Sequence, residues 1–170
     1  MFHPEKSKHF TRHRDPESGV ESWILTDGVA PYQQAFYFVN DSFSGDGRYL
    51  WFYCGFPPSQ ALCLGLLDLE SDRIGIFPET QFLDASPAVR PETGEVFFFS
   101  GCELWKLAPR FDARPEFVNR LPEEIVRGRR PVRIATHITF SPNGRTICID
   151  AGFGRDCFLG EMPLDGGPCN

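Results

Sequence analysis

The sequence predicts an all-β fold, a partial β-propeller of about three four-stranded antiparallel blades, and three observations carry that expectation. An internal repeat recurs at a blade-sized period, each copy turns on a glycine, and the chain holds 17 Phe concentrated in runs such as Phe97 to Phe99. Such runs suit strands covered on both faces better than helices with one apolar stripe.

The three copies read DSFSGDGRYLWFY from Asp41, SPAVRPETGEVFFF from Ser86 and HITFSPNGRTICI from His137. In each, an apolar residue (Phe43, Val89, Phe140) precedes a polar turn ending at a glycine, and an apolar β-run follows. Gly47 and Gly94 lie 47 residues apart, and Gly94 and Gly144 lie 50 apart. Glycine supplies the positive φ that a tight hairpin demands. A third β-type segment follows each hairpin (ALCLGLLDLES, CELWKLAPRFD, DCFLGEMPLDG), and a fourth follows in the first two copies (RIGIFPE, PEFVNRL). Four antiparallel strands in one period make a propeller blade, whereas helical or leucine-rich repeats need another period or pattern.

These readings divide residues 1–170 as one incomplete propeller domain: a tail and closing strand over 1–34, blade 1 over 35–83, blade 2 over 84–131 and an incomplete blade 3 over 132–170. The third unit stops just past its third strand, so an open apolar edge and self-association through open blade edges are expected. The stretch from Val20 to Asp27 has strand character and is expected to lack its partner.

A net charge of −6 and a pI near 5.2 give no global attraction to nucleic acid or to an anionic membrane, so neither is expected as a partner. No apolar run reaches the length of a membrane span, and the opening MFHPEKSKHF does not read as an export signal, which makes a cytoplasmic location the expectation. The six cysteines (Cys54, Cys63, Cys102, Cys148, Cys157, Cys169) contain no CxxC pair and read as buried thiols. His3, His9 and His13 fall in a polar N-terminal segment expected to be surface-exposed or disordered.

The segments RHRDPESGVESWILTD, FYFVNDSFSGDGRYLWF and SGCELWKLAPRFD resemble the N-terminal part of the oligogalacturonate lyase family. That resemblance covers most of the chain. It implies a cytoplasmic propeller of about seven blades that cleaves short pectin fragments, small acidic oligosaccharides, by β-elimination with manganese or another divalent metal. Two departures limit what it assigns. Gln34 and Ala35 stand where the family tends to carry a His and a basic residue, and the family's metal-binding histidines fall in blades beyond residue 170. No catalytic residue is therefore assigned. The turn SPNGR also resembles the repeats of TolB-type propellers, which implies the alternative of a non-catalytic binding module.

β-Elimination beside a uronate needs a cation on the carboxylate, a base for the C5 proton and help for the leaving oxygen. Arg127, Arg129, Arg130 and Arg133 form the only basic cluster of an acidic chain, and Arg is the natural carboxylate clamp. Arg130 and Arg133 are accordingly candidate substrate-binding residues. The competing account is a solvated loop that balances Glu123 and Glu124. Aligning the repeats places Asn40, Ser86 and His137 at one shared position three residues ahead of Phe43, Val89 and Phe140. A polar ring at the central channel is expected there, with Asp84 nearby and His137 as a candidate base or donor. Against this stands the reading that these side chains satisfy backbone groups at strand entry.

Overall fold

The computed structural model describes residues 3–26, 28–83, 87–129, 131, 133–134 and 138–169, with the backbone alone at 133–134. A single 3-10 turn at Pro4–Lys6 leads into a hairpin of β1 (Phe10–Arg14) and β2 (Glu21–Leu25). Blade 1 comprises β3 (Tyr32–Ala35), β4 (Tyr49–Gly55), β5 (Leu62–Asp68) and β6 (Arg73–Phe82). Blade 2 comprises β7 (Ala88–Val89), β8 (Val96–Ser100), β9 (Glu103–Leu107) and β10 (Glu116–Arg120). After a one-turn helix α1 (Glu123–Val126) come β11 (Arg133–Ile134), β12 (Thr139–Phe140), β13 (Thr146–Phe153) and β14 (Asp156–Pro163). β11 and β12 pair successive parts of β13, with β14 running along the whole of β13. They are two pieces of one inner strand, so blade 3 has three strand positions among the described residues.

The repeat is a structural one. Phe43 faces Leu50, Val89 faces Val96 and Phe140 faces Ile147, the same seven-residue step each time. Turn chemistry explains why. In blade 1 the Ser44 hydroxyl donates to Asp46 and accepts from Tyr49 N, while Asp46 accepts from Arg48 N. Ser141, Asn143, Thr146 and Arg145 make the same set of bonds in blade 3. Blade 2 differs: Gly94 N reaches back to Arg90 O, one residue further than Gly47 N to Ser44 O or Gly144 N to Ser141 O. Its glycine is displaced by one position, so alignment on Gly94 misplaces that repeat by a residue and alignment on the strands corrects it.

Alternation along the strands builds a layered core. Leu50, Phe52, Cys54, Cys63 and Leu67 of blade 1 face the N-terminal hairpin, where Phe10 and Leu25 pack on them. The opposite parity, including Trp51, Tyr53, Leu64 and Leu66, meets Val96, Phe98 and Leu107 of blade 2. Phe97 and Phe99 point the other way, onto Ile147, Ile149 and Ala151 of blade 3. The Phe run is therefore covered on both faces, as its composition implies.

That parity also corrects the cysteine expectation. Cys54 and Cys63 are buried opposite each other on β4 and β5, and Cys54 is held protonated by its hydrogen bond to Cys63 and by burial. Cys148 and Cys157 are exposed: they too point away from blade 2, but among the described residues nothing like the N-terminal hairpin covers them. The N-terminal segment needs correction too. β2 is not unpartnered: every residue from Glu21 to Leu25 pairs with β1. His9 is buried, with Nε2 3.0 Å from the Asp72 carbonyl, so it anchors the hairpin to the β5–β6 turn.

Asp68, the last residue of β5, closes blade 1 at the same turn. It is 7% exposed and accepts two 3.0 Å bonds from Arg48, with further bonds from Glu70 N and the Ser71 hydroxyl. Burial alone raises its pKa, but the bonds from Arg48, Ser71 and Glu70 N outweigh burial and hold it below the ordinary value. A carboxyl with a lowered folded pKa contributes stability that is full above its unfolded value, about 4, and is lost as pH falls through the folded value. Denaturant melts from pH 6 to pH 2.5 are expected to show a steeper acid loss for wild type than for Asp68→Asn. Parallel curves would remove Asp68 from the acid response.

Candidate functional site

Blade 1 takes eleven steps along the chain from Tyr32, opposite Gly55, to Phe43, opposite Leu50. Blade 3 covers the matching interval in seven, from Arg133, opposite Gly152, to Phe140, opposite Ile147. Four extra residues are thus looped out of the inner strand of blade 1. The loop is pinned at its base by Phe36 N to the Ser42 hydroxyl (2.9 Å) and by Trp51 N to Ser42 O (2.8 Å). It carries Tyr37, Phe38 and Val39 into solvent, Phe38 at 84% exposure.

Beside this loop lies a cleft of about 600 Å³. Its walls are the inner hairpins of blade 2 (Ala88 to Glu92) and blade 3 (Ile138 to Gly144), and Val39, Asn40 and Asp41 close one end. Asn40 donates from Nδ2 to the Pro87 carbonyl at 2.9 Å, tying blade 1 to the entry of the next inner strand. That is the backbone-satisfying role weighed for this position, in a residue that also lines the cleft. Arg90 spans the far wall, its guanidinium 5.0 Å from the Phe97 ring centre and 5.3 Å from that of Phe140, with Nη2 donating to Gly144 O at 3.0 Å. Its charge is thereby engaged in holding blades 2 and 3 together. Asp41 and Glu92, both exposed, put negative charge at the mouth.

The basic cluster is divided by the structure. Arg127 ends α1 in a left-handed conformation and donates from Nε to Glu124 O. Arg129 is a structural tie: it donates to Asp156 and to the Ile125 carbonyl, each at 2.7 Å, and lies over the Phe153 ring at 5.0 Å. Arg133 lies in strand β11, not in the preceding loop. Asp84, Ser86, Arg130 and His137 lie outside the described residues, as does the side chain of Arg133. Gln34 and Ala35 are ladder residues of β3, opposite Tyr53 and Phe52.

Sequence reasoning missed the looped-out aromatics and Arg90. The longer stretch from Tyr32 to Phe43 was the available signal, but it is visible only once β3 is recognised as the start of the inner strand. Among the described residues, no group of three or more His, Cys, Asp and Glu is placed to hold a metal ion, and no helix is long and apolar enough to cross a membrane.

Antiparallel sheets stacked face to face in chain order, each turning on the same inner hairpin, are blades of a β-propeller, and this chain is a propeller chain. It is similar to an oligogalacturonate lyase solved in complex with manganese, at 17% identity and a TM-score of 0.66, over 95% of this chain and 46% of that one. It is also similar to TolB from Acinetobacter baumannii, at 11% identity and a TM-score of 0.55, over 98% of this chain and 38% of the other. The chain thus spans less than half the length of either structure. No protein-family model matches it, and no curated protein does.

Proposed function

We propose that this chain contributes a sugar-binding face to a propeller of the oligogalacturonate lyase kind, with short acidic oligosaccharides as ligands. The observation that carries the reading is the likeness to the lyase across nearly the whole chain, which is higher than the likeness to TolB. Manganese belongs to that lyase structure. Among the described residues no group of His, Cys, Asp and Glu is placed to hold a divalent ion, and the part proposed for this chain is binding of the sugar. Arg130 and Arg133 are the proposed carboxylate partners, because a guanidinium makes two parallel charge-assisted bonds to a uronate.

Calorimetric titration with trigalacturonate tests this. Binding is expected, and changing Arg130 and Arg133 together to Gln should weaken it by about 1.5–3 kcal/mol per charged hydrogen bond lost, with a melting curve to check that the variant is folded. Absence of binding by the folded wild-type chain, or equal affinity in the double variant, would overturn the assignment.

A further inference from the structure

We propose that the Tyr37–Phe38 pair and the adjoining cleft form a subsite for a neutral pyranose ring. This deepens the sugar-binding reading above and rests on it for the ligand class, while making a different claim about charge. Three observations meet here. The four extra residues of the inner strand of blade 1 have no counterpart in blade 3 and carry aromatic side chains outward. The two rings lie 4.4 Å apart, tilted by 40°, with Tyr37 46% exposed and Phe38 84% exposed. The cleft, whose lining begins at Val39, the next residue along the chain, offers polar groups suited to hydroxyls: the Asp41 and Glu92 carboxylates as acceptors, and Asn143, whose Oδ1 is used by its own turn while the turn makes no use of Nδ2.

A pyranose presents an apolar face of C–H groups and an equatorial rim of hydroxyls. Aromatic rings bury the first, and carboxylates accept from the second with bonds stronger than neutral ones. A free uronate carboxylate fits poorly in this place. Asp41 and Glu92 would repel it, and among the described lining residues they outnumber the single cation, Arg90, which is held over Phe97 and Phe140 with Nη2 on Gly144 O. The subsite therefore selects an uncharged residue, such as a methyl-esterified galacturonide, within or beside an acidic oligomer.

The test is ligand-observed saturation-transfer NMR on the full chain with two probes, trigalacturonate and its fully methyl-esterified form, using wild type and Tyr37→Ala/Phe38→Ala. Both rings are substantially solvent-exposed, so the variant should fold; its melting curve checks this, and Phe38→Tyr, which keeps a ring, should bind as wild type does. The expected result is binding of the ester by wild type, weakened about tenfold or more in the double alanine variant, a loss of one power of ten in affinity. Ester binding that survives the double variant overturns the subsite while leaving the acidic-sugar reading in place if trigalacturonate binds. Ester binding lost in the variant, with no trigalacturonate binding to wild type, supports the subsite and overturns the acidic-sugar reading. Failure of both probes to bind wild type overturns both.

Discussion

Replacing Trp51 with Ala is expected to remove most of the stability of the chain. Trp51 is fully buried at the junction of blades 1 and 2, with its ring 5.6 Å from that of Phe77. Its indole N–H donates to the Gly94 carbonyl, at the tip of the blade 2 hairpin, at 2.8 Å. Truncating a buried aromatic costs about 3–5 kcal/mol, and the stranded carbonyl adds about 1–3 kcal/mol unless water reaches it. Against a total of about 5–15 kcal/mol for a folded domain, that is a large share. Trp51→Phe keeps most of the apolar contact and loses the hydrogen bond, so it should cost about 1–3 kcal/mol. Denaturant melts of the two variants measure both values. An alanine variant within 1 kcal/mol of wild type would show that this junction is not where the blades hold each other.

Gly65→Ala should destabilise although strand propensity alone favours it. Glycine within a strand is weaker than alanine by about 0.5–1 kcal/mol, so a free site would gain from the change. Gly65, however, faces Phe52 across β4 and β5, and a Cβ there would strike the Phe52 ring and lie 2.9 Å from Cys54 Sγ. Phe52 is 2% exposed and beneath the N-terminal hairpin, so the ring has no open space to move into. Overpacking of this kind costs about 1–3 kcal/mol and outweighs the propensity gain. Pairing Gly65→Ala with Phe52→Leu should cost less than the two single changes added together, since the smaller side chain makes room for the methyl. Additive losses in equilibrium unfolding would place the cause elsewhere.

Fold class was legible because local chemistry and global pattern agree. The Ser–x–Asp/Asn–Gly–Arg turns of blades 1 and 3 close through their own side chains, so the sequence contains nearly all the information that sets those hairpins. The displaced glycine of blade 2 shows the limit: RPETGE makes an equivalent turn by a different bond, and only strand pairing reveals the offset. What was not legible depends on partners distant in sequence. His9 is buried by contact with the carbonyl of Asp72, and β1 gains strand character from β2 despite its polar composition. Cys148 and Cys157, like Cys54 and Cys63, point away from blade 2, and cover separates the pairs: the N-terminal hairpin lies over Cys54 and Cys63, and no described element lies over Cys148 and Cys157. The candidate site was legible in part. Asn40 was found through the repeat alignment, whereas Tyr37 and Phe38 sit in an apolar run, FYFV, with no local signal that it loops out of the inner strand into solvent.

The central claim is that three consecutive blades pack as layers through shared apolar faces, and hydrogen exchange on wild type and Trp51→Phe tests it most directly. In wild type the slowest amides should fall in three separate groups, in β4 and β5, in β8 and β9, and in β13, the strands with a neighbour on each side. In Trp51→Phe, exchange should quicken in β8 and β9 as well as in β4 and β5, because the lost bond reaches from blade 1 to the blade 2 hairpin. Protection confined to one continuous segment, or a change confined to blade 1, would contradict the layered account.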